Sequence, residues 1–230
     1  NVKDASFVTG NGQLLYLDAG NAASYPGSGT TWYDISGNSN NTTATAGTTY
    51  SSATGGYFDF NGAGYFQTAG SKYNVAYTGK TVFLAAKLSA AMGATTFRCL
   101  FGGGGTPVGR NFSTYFYNTG SAYQIHFSSN NQGGFSPNLV YTPGNWFTLA
   151  VTQTTGNVLT WYFNGTALGT SSITFSQYVT DQYEQVGASD NYWYGPISVV
   201  GIYGSALSAS QIGQCHNNVC ARYGLSAVRL

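Results

Sequence analysis

Charge is what this sequence has least of. Eight lysines and arginines and seven aspartates and glutamates serve 230 residues, so charged side chains make up 7% of the chain, where a globular domain usually carries about 25%. The basic residues are scattered and the net charge is +1. Phosphate binding needs a Lys/Arg cluster, so nucleic acid is not an expected partner. Acid is scarcer still, with Glu184 the single glutamate. A glycosidase needs two carboxyl groups a set distance apart. The nearest pair in sequence, Asp181 and Glu184, falls on opposite faces of any strand because its spacing is odd. No apolar run approaches the ~18 residues of a membrane span, so insertion into a membrane is not expected. Cysteine is sparse, and three thiols cannot all pair within one chain. Cys215 and Cys220 fall on different sides of a helix and read as small buried apolar residues without a metal. Cys99 follows Phe97 in a strand, and a bridge from it to that helix stays open. The chain starts at Asn1 without Met or an apolar signal region, as expected of a processed product or a piece of a longer chain. The four glycines at 102–105 precede no Gly-Lys-Ser/Thr, which rejects a phosphate loop, and no nucleophile elbow is present.

What the chain has instead is glycine, aromatic rings and small polar side chains. Glycine occupies 32 positions and Phe, Trp and Tyr make up 16% of residues. That suits an all-β chain with many turns, and disordered chains are poor in aromatics. The pattern is clearest from Pro143 to Ile212. Trp146 to Thr152 is rich in aromatic and β-branched residues, a Thr154-Thr155-Gly156-Asn157 turn follows, and Val158 to Phe163 leads into Asn164-Gly165. An Asn-Gly pair between apolar runs predicts a type I′ hairpin, whose central residues both need φ > 0. Leu159, Trp161 and Phe163 alternate with Thr160 and Tyr162, which predicts one core face and one in or near water. Ile197 to Tyr203 reads as another strand. Ser208 caps a helix running to Tyr223, with Ile212, Cys215, Val219 and Tyr223 against the sheets and His216 beside them as a structural residue.

Upstream, residues 1–12 read as a polar arm and Gln13 to Asp18 as the first strand. Residues 20–56 form a long polar stretch of little periodicity. An ordered loop is expected from Trp32 to Asn38, since Asp and Asn side chains bond their own backbone two residues on. A calcium site on Asp18 or Asp34 is the sharper reading of those acids, though a dense acidic loop is missing; no other cofactor is implied. Tyr57 to Gly62 predicts a strand entering an Asn-Gly turn, answered by Tyr65 to Thr68. Thr81 to Leu88, apolar on both parities, predicts a central strand. Thr96 to Phe101 predicts the next one, before a flexible turn at Gly102 to Gly105.

Three runs carry a family resemblance: N-W-F-T-L-A-V-T at 145–152, G-N-V-L-T-W-Y-F-N-G-T-A-L-G-T at 156–170 and Y-G-P-I-S-V-V-G-I-Y-G-S-A-L-S-A-S-Q-I at 194–212. Together they resemble the laminin-G-like, concanavalin A-like lectin/glucanase superfamily. Leu15 to Asn21, Ser24 to Asn38 and Arg222-Tyr223-Gly224-Leu225 are similar to the version found in phage and large-virus proteins. The resemblance is weakest from Lys72 to Ser136. It implies an all-β fold, a two-sheet antiparallel jelly-roll sandwich with a short C-terminal helix, with 13–230 as one laminin-G-like domain. The superfamily's glucanases carry Glu-x-Asp-x-x-Glu on a strand, which Asp181-Gln182-Tyr183-Glu184 does not reproduce.

One hairpin supplies the candidate site. Phe112 to Asn118 and Ala122 to Ser128 flank Thr119-Gly120-Ser121. Matching apolar face to apolar face leaves Tyr115, Tyr117, Gln124 and His126 together on the other surface. Tyrosines beside amide and imidazole groups make a sugar platform, their rings covering C–H faces and their polar tips bonding hydroxyls; tyrosine also simply does well on exposed strands. Trp193, in the turn Asn191 to Gly195, is a further stacking residue or a packing one. With the resemblance, these residues imply a non-catalytic glycan-binding or adhesion module on a virion or extracellular surface, its partners surface glycans and other virion subunits. A purely structural capsid or tail decoration domain is the second reading. The third is a lyase on an acidic polysaccharide: Gln124-Ile125-His126 is similar to the Gln-Ile-His element of an alginate-lyase family, whose Arg-rich and Tyr-Phe-Lys strands do not appear. Asn-x-Ser/Thr occurs at Asn40, Asn41, Asn111 and Asn164, with Asn164 in a tight turn the accessible candidate.

Overall fold

The structure, a computed structural model, describes residues 12–70, 79–104, 112–129, 132–173, 183–189 and 191–230. The arm at 1–11, Gly105, Asn111, Asp181 and Gln182 lie outside the described residues. Two antiparallel sheets face each other. The first runs in the order β14 (Thr166–Ser172), β13 (Val158–Phe163), β12 (Trp146–Gln153), β7 (Lys80–Lys87), β16 (Tyr194–Tyr203), β5 (Tyr57–Asn61) and β4 (Thr48–Ser51), and β1 (Gln13–Asp18) joins it on β16. The second runs β11 (Gln132–Phe135), β10 (Tyr123–Ser129), β9 (Ser113–Asn118), β8 (Thr96–Gly104), β15 (Tyr183–Val186), β6 (Phe66–Thr68), β3 (Thr42–Ala44) and β2 (Thr31–Trp32).

The run from Thr81 is central because every neighbour it can have is another strand: β7 pairs with β12 on one edge and β16 on the other. Its two apolar parities then serve two cores. Val82, Leu84 and Ala86 face the second sheet, where Phe116 of β9 stacks on Phe147 of β12 at 5.1 Å. Phe83 and Ala85 face the opposite way, into a smaller core with Trp146, Tyr162, Tyr203 and the helix α1 (Ala209–Cys220). Ile212, Cys215, Val219 and Tyr223 supply the helical side of that core, at the spacing the sequence shows. Tyr162 is therefore buried under the helix, where alternation alone places it in or near water. Ser208 starts the helix with a capping box: its hydroxyl accepts from the Gln211 N–H and its own N–H donates to Gln211 Oε1. Asn164 and Gly165 have φ of 47° and 76°, as a type I′ turn requires. A side chain on Gly165 would also meet the His216 ring. His216 is wholly buried between Thr148 Oγ1 and the Ser226 carbonyl, both at 2.8 Å, a structural role.

Three expectations change. Tyr57–Asn61 and Phe66–Thr68 do not form a hairpin: the chain turns at Gly62 and crosses to the other sheet, where β6 pairs with β3 and β15. Phe58 and Phe66 meet across the core at 4.5 Å instead of side by side on one surface. Gly102 to Gly104 is strand, paired with Gln185, Glu184 and Tyr183, and not a loose turn. Cys99 lies on the second sheet and Cys215 and Cys220 on the helix behind the first, and no disulfide joins them. Within residues 20–56 the polar stretch holds three short strands that periodicity did not reveal.

The loop at Trp32 to Asn38 is ordered around Asp34. Its carboxylate accepts from the Tyr16, Ser36 and Asn40 N–H groups and the Ser36 hydroxyl, all at 2.9 Å. Asp18 accepts from both Arg222 nitrogens at 2.6 and 2.9 Å, from the Gly20 N–H and from the Tyr16 hydroxyl. Both carboxylates are thus filled by donors, an arrangement that does not fit calcium, which needs free oxygen ligands. The Asp18–Arg222 pair ties β1 to the end of the C-terminal helix. Burial opposes the Arg222 charge, yet the hydrogen bonds and charge of Asp18 hold its pKa above the ordinary value. Removing Arg222 leaves a buried carboxylate without its counter-charge, so Arg222→Met should destabilise the fold by about 3 kcal/mol and Asp18→Asn with Arg222→Met by less. Urea denaturation of the single and double variants checks the order; equal losses would contradict it.

Candidate functional site

The helix covers the outer face of the first sheet, so the outward side chains of the second are where a ligand can be met. The hairpin register sets them. Gln124 pairs with Tyr117 and His126 with Tyr115, which puts all four on one surface, while Phe116, Ile125 and Phe127 point into the core. Two residues not singled out from the sequence complete the group. Phe97 of β8 pairs with Tyr117 and stacks on it at 4.3 Å. Phe135 of β11 pairs with His126 and stacks on it at 4.3 Å. Phe97, Tyr117, His126 and Phe135 thus form one aromatic patch. Phe135 is its most open member, 43% exposed. Tyr117, Gln124, His126 and Phe97 are half-buried.

Tyr115 is only 6% exposed, so it serves as floor and not as platform. Its hydroxyl lies 3.4 Å from Ser189 Oγ. Beside it opens a pocket of about 170 Å³ lined by Phe97, Tyr115, His126, Ser128 and Asn191. Trp193, by contrast, does not face a ligand. It is 0% exposed and packs edge-on against Phe116 and Phe147 in the core. Its indole N–H has no partner. That costs about 1–3 kcal/mol. Burying ~150–250 Å² of ring at ~25 cal/mol/Å² returns roughly 4–6 kcal/mol, which decides the inward orientation. The outward rings of that turn are Tyr192 and Tyr194.

The described residues that line the pocket carry no full charge. Burial lowers the pKa of His126 from 6.5 to about 4, so the ring is uncharged at pH 7 and a weak base. Its Nδ1 has no hydrogen-bond partner, so a second proton there would meet no acceptor. The Tyr115 and His126 rings are 5.7 Å apart, the neighbourhood a lyase would use. Yet a weakened base is poorly matched to abstracting a sugar C–H proton, and among the described residues no cation lines the pocket to counter a uronate. Among the described residues, no carboxyl group lines the pocket either. Glu184 is buried and bonded to Thr68 Oγ1 at 2.8 Å, and Asp18 is held by Arg222. No group of three His, Cys, Asp or Glu side chains could hold a metal ion among the described residues, and no described helix is long and apolar enough to cross a membrane.

The glycosylation motifs separate by geometry. The Asn40 amide is spent on the Leu14 carbonyl at 2.8 Å. Asn164 is half-buried with its Oδ1 accepting from Thr148, less accessible than a turn suggests. Asn41 is exposed.

A family model described as the concanavalin A-like lectin/glucanases superfamily matches residues 60–213. The chain belongs to that superfamily. Among solved structures, the concanavalin A-like sandwich described above resembles domain 4 of AbnA, an extracellular arabinanase of Geobacillus stearothermophilus in complex with arabinotriose. The TM-score is 0.65 at 17% identity, over 87% of this chain and 96% of that one. It also resembles Trypanosoma rangeli sialidase in complex with sialic acid, with a TM-score of 0.67 at 14% identity over 91% of this chain. A third is a structure of botulinum neurotoxin type C whose cell entry depends on two ganglioside molecules, with a TM-score of 0.67 at 12% identity over 90% of this chain. The concanavalin A-like chain spans 33% of the sialidase and 51% of the toxin structure. Identities of this size show a common fold, so those ligands belong to those proteins. None of the curated proteins matches the chain in sequence.

His126 generates a pH signature. Its folded pKa lies below the unfolded value, so the unfolded chain binds the proton more readily. Stability is therefore full above pH 6.5 and declines as pH falls toward 4, by on the order of 2 kcal/mol after allowing for partial solvent access. His216, also lowered by burial, adds a loss of the same sign. His126→Gln should flatten the decline by its own share while leaving that of His216. Urea midpoints at pH 7.5 and 4.5 measure both, and an unaltered slope would refute the assignment.

Proposed function

We propose that this is a non-catalytic glycan-binding module whose ligand rests on the outer face of the second sheet. The observation that supports it is the joined pair of stacks, Phe97 on Tyr117 and His126 on Phe135, with Phe135 open to solvent on a sheet that the helix leaves uncovered. Aromatic faces shed water against the C–H face of a sugar ring, and neighbouring amide, hydroxyl and imidazole groups bond its hydroxyls. Gln124, opposite Tyr117, supplies such an amide. Structures of the same fold in complex with arabinotriose and with sialic acid make a carbohydrate ligand a natural occupant of this architecture, though the residues that would bind it are this chain's own. The setting we assign is display on a virion or other extracellular surface. That assignment comes from the phage-like pattern at Leu15 to Asn21, Ser24 to Asn38 and Arg222 to Leu225.

A glycan array tests the reading. Binding should be present in the native chain, fall at least ~10-fold in Phe135→Ala and Tyr117→Ala, and persist in Tyr33→Ala, which removes an exposed ring elsewhere. Failure to bind any glycan, or equal loss in all three variants, would sink it and favour the decoration-domain reading.

A further inference from the structure

We propose that the pocket beside Phe97 seats the ring of one uncharged sugar and selects against sialic and uronic acids. This rests on the glycan-binding reading and narrows it to a ligand class. At about 170 Å³ the pocket is smaller than the sites of drug-sized ligands, which run to about 300–1,000 Å³, so it accommodates a single ring and not a length of chain. Its lining combines the Phe97 ring with Tyr115, Ser128, Asn191 and His126. Hydroxyl and amide groups both donate and accept, which matches sugar hydroxyls that do the same.

Among the described residues, full charge is missing from that lining. Carboxylate recognition in a sheltered site calls for a guanidinium or ammonium group, best a bidentate arginine. None of the described cations lines the pocket. Arg222 holds Asp18, Lys87 lies over Trp146 and Lys80 over Phe112. Arg98, next in the chain to Phe97, sits at the Tyr192 carbonyl at 3.5 Å and is not part of the lining. His126 does not substitute for them, being neutral above about pH 4. A sugar carboxylate entering here would lose its water and gain no counter-charge, a penalty that discriminates more strongly than any added contact.

The test uses the whole chain against immobilised oligosaccharides ending in glucose, galactose, mannose or arabinose, and a matched set ending in sialic or glucuronic acid. Native protein should bind at least one neutral terminus, at least ~10-fold more tightly than the acidic set. That binding should change less than about twofold on adding about 0.5 M NaCl, since no ion pair is screened. Asn191→Ala and Ser128→Ala should each weaken it about 5–10-fold, with unchanged melting temperatures showing that the fold is intact. Preference for acidic termini, or binding that collapses in salt, would overturn the selectivity while leaving a glycan site. Loss in Phe135→Ala with no loss in Asn191→Ala or Ser128→Ala would move the sugar out of the pocket and overturn the proposal alone. Absence of binding to every glycan would remove the site with it.

Discussion

A bidentate ion pair between residues 204 positions apart holds the two ends of this fold together. Asp18 closes strand β1 and Arg222 closes the C-terminal helix, and their contact fixes where that helix crosses the first sheet. The surroundings are shaped to permit it. A side chain on Gly55 would press on the Arg222 stem, and one on Gly20 or Gly56 would strike neighbouring backbone. Tyr223, the next residue, stacks on Trp146 at 4.3 Å and carries the clamp into the smaller core. With the helix committed to that surface, the remaining broad face belongs to the second sheet. The position of the aromatic patch is a consequence of where the arginine is held.

Two cores of different character follow. Between the sheets, rings from both sides meet through Phe116, Phe147, Phe163 and Trp193, and Trp32, Phe58 and Phe66 do the same at the other end. Under the helix, the packing includes polar groups with assigned partners, such as His216 between Thr148 and Ser226. The outer face of the second sheet repeats the first kind of packing in the open. Phe97, Tyr117, His126 and Phe135 touch one another as core residues do, but without a third layer to cover them.

What could be read from the chain, and what could not, divides along local and distant causes. The β9–β10 pairing was legible because alternation fixes its faces, and matching apolar face to apolar face brings Tyr117 opposite Gln124; the loop itself is one residue longer than the sequence suggests, since Asn118 pairs with Tyr123. The β12–β13–β14 meander and the capped helix were legible for the same reason. Phe97 and Phe135 escaped because each lies on a strand beyond the hairpin, and two of the four residues of β11 are glycines that carry no periodic signal. The crossing after Asn61 escaped because an Asn-Gly turn is the mark of a hairpin, and nothing nearby shows that the next strand pairs with β3 and β15. Trp193 looked like a ligand residue because it lies in a turn. Its inward rotation is set by Phe116 and Phe147, which only the folded sheets bring near. Asp18 and Arg222 were visible individually as parts of a family pattern; their contact was not.

Strand β16 imposes an order on how this molecule can be made. Its Val199–Tyr203 half pairs with β1, its Tyr194–Ile197 half with β5, and its opposite edge with β7. The seam joining the early strands to the rest of the first sheet therefore leaves the ribosome after every other described strand. Until residues 194–203 emerge, β1 and β5 lack the strand that both flank, and their apolar faces wait while the strands between are made. Assembly must be slow, dominated by contacts of long sequence separation, and dependent on protection of the waiting strands from other chains.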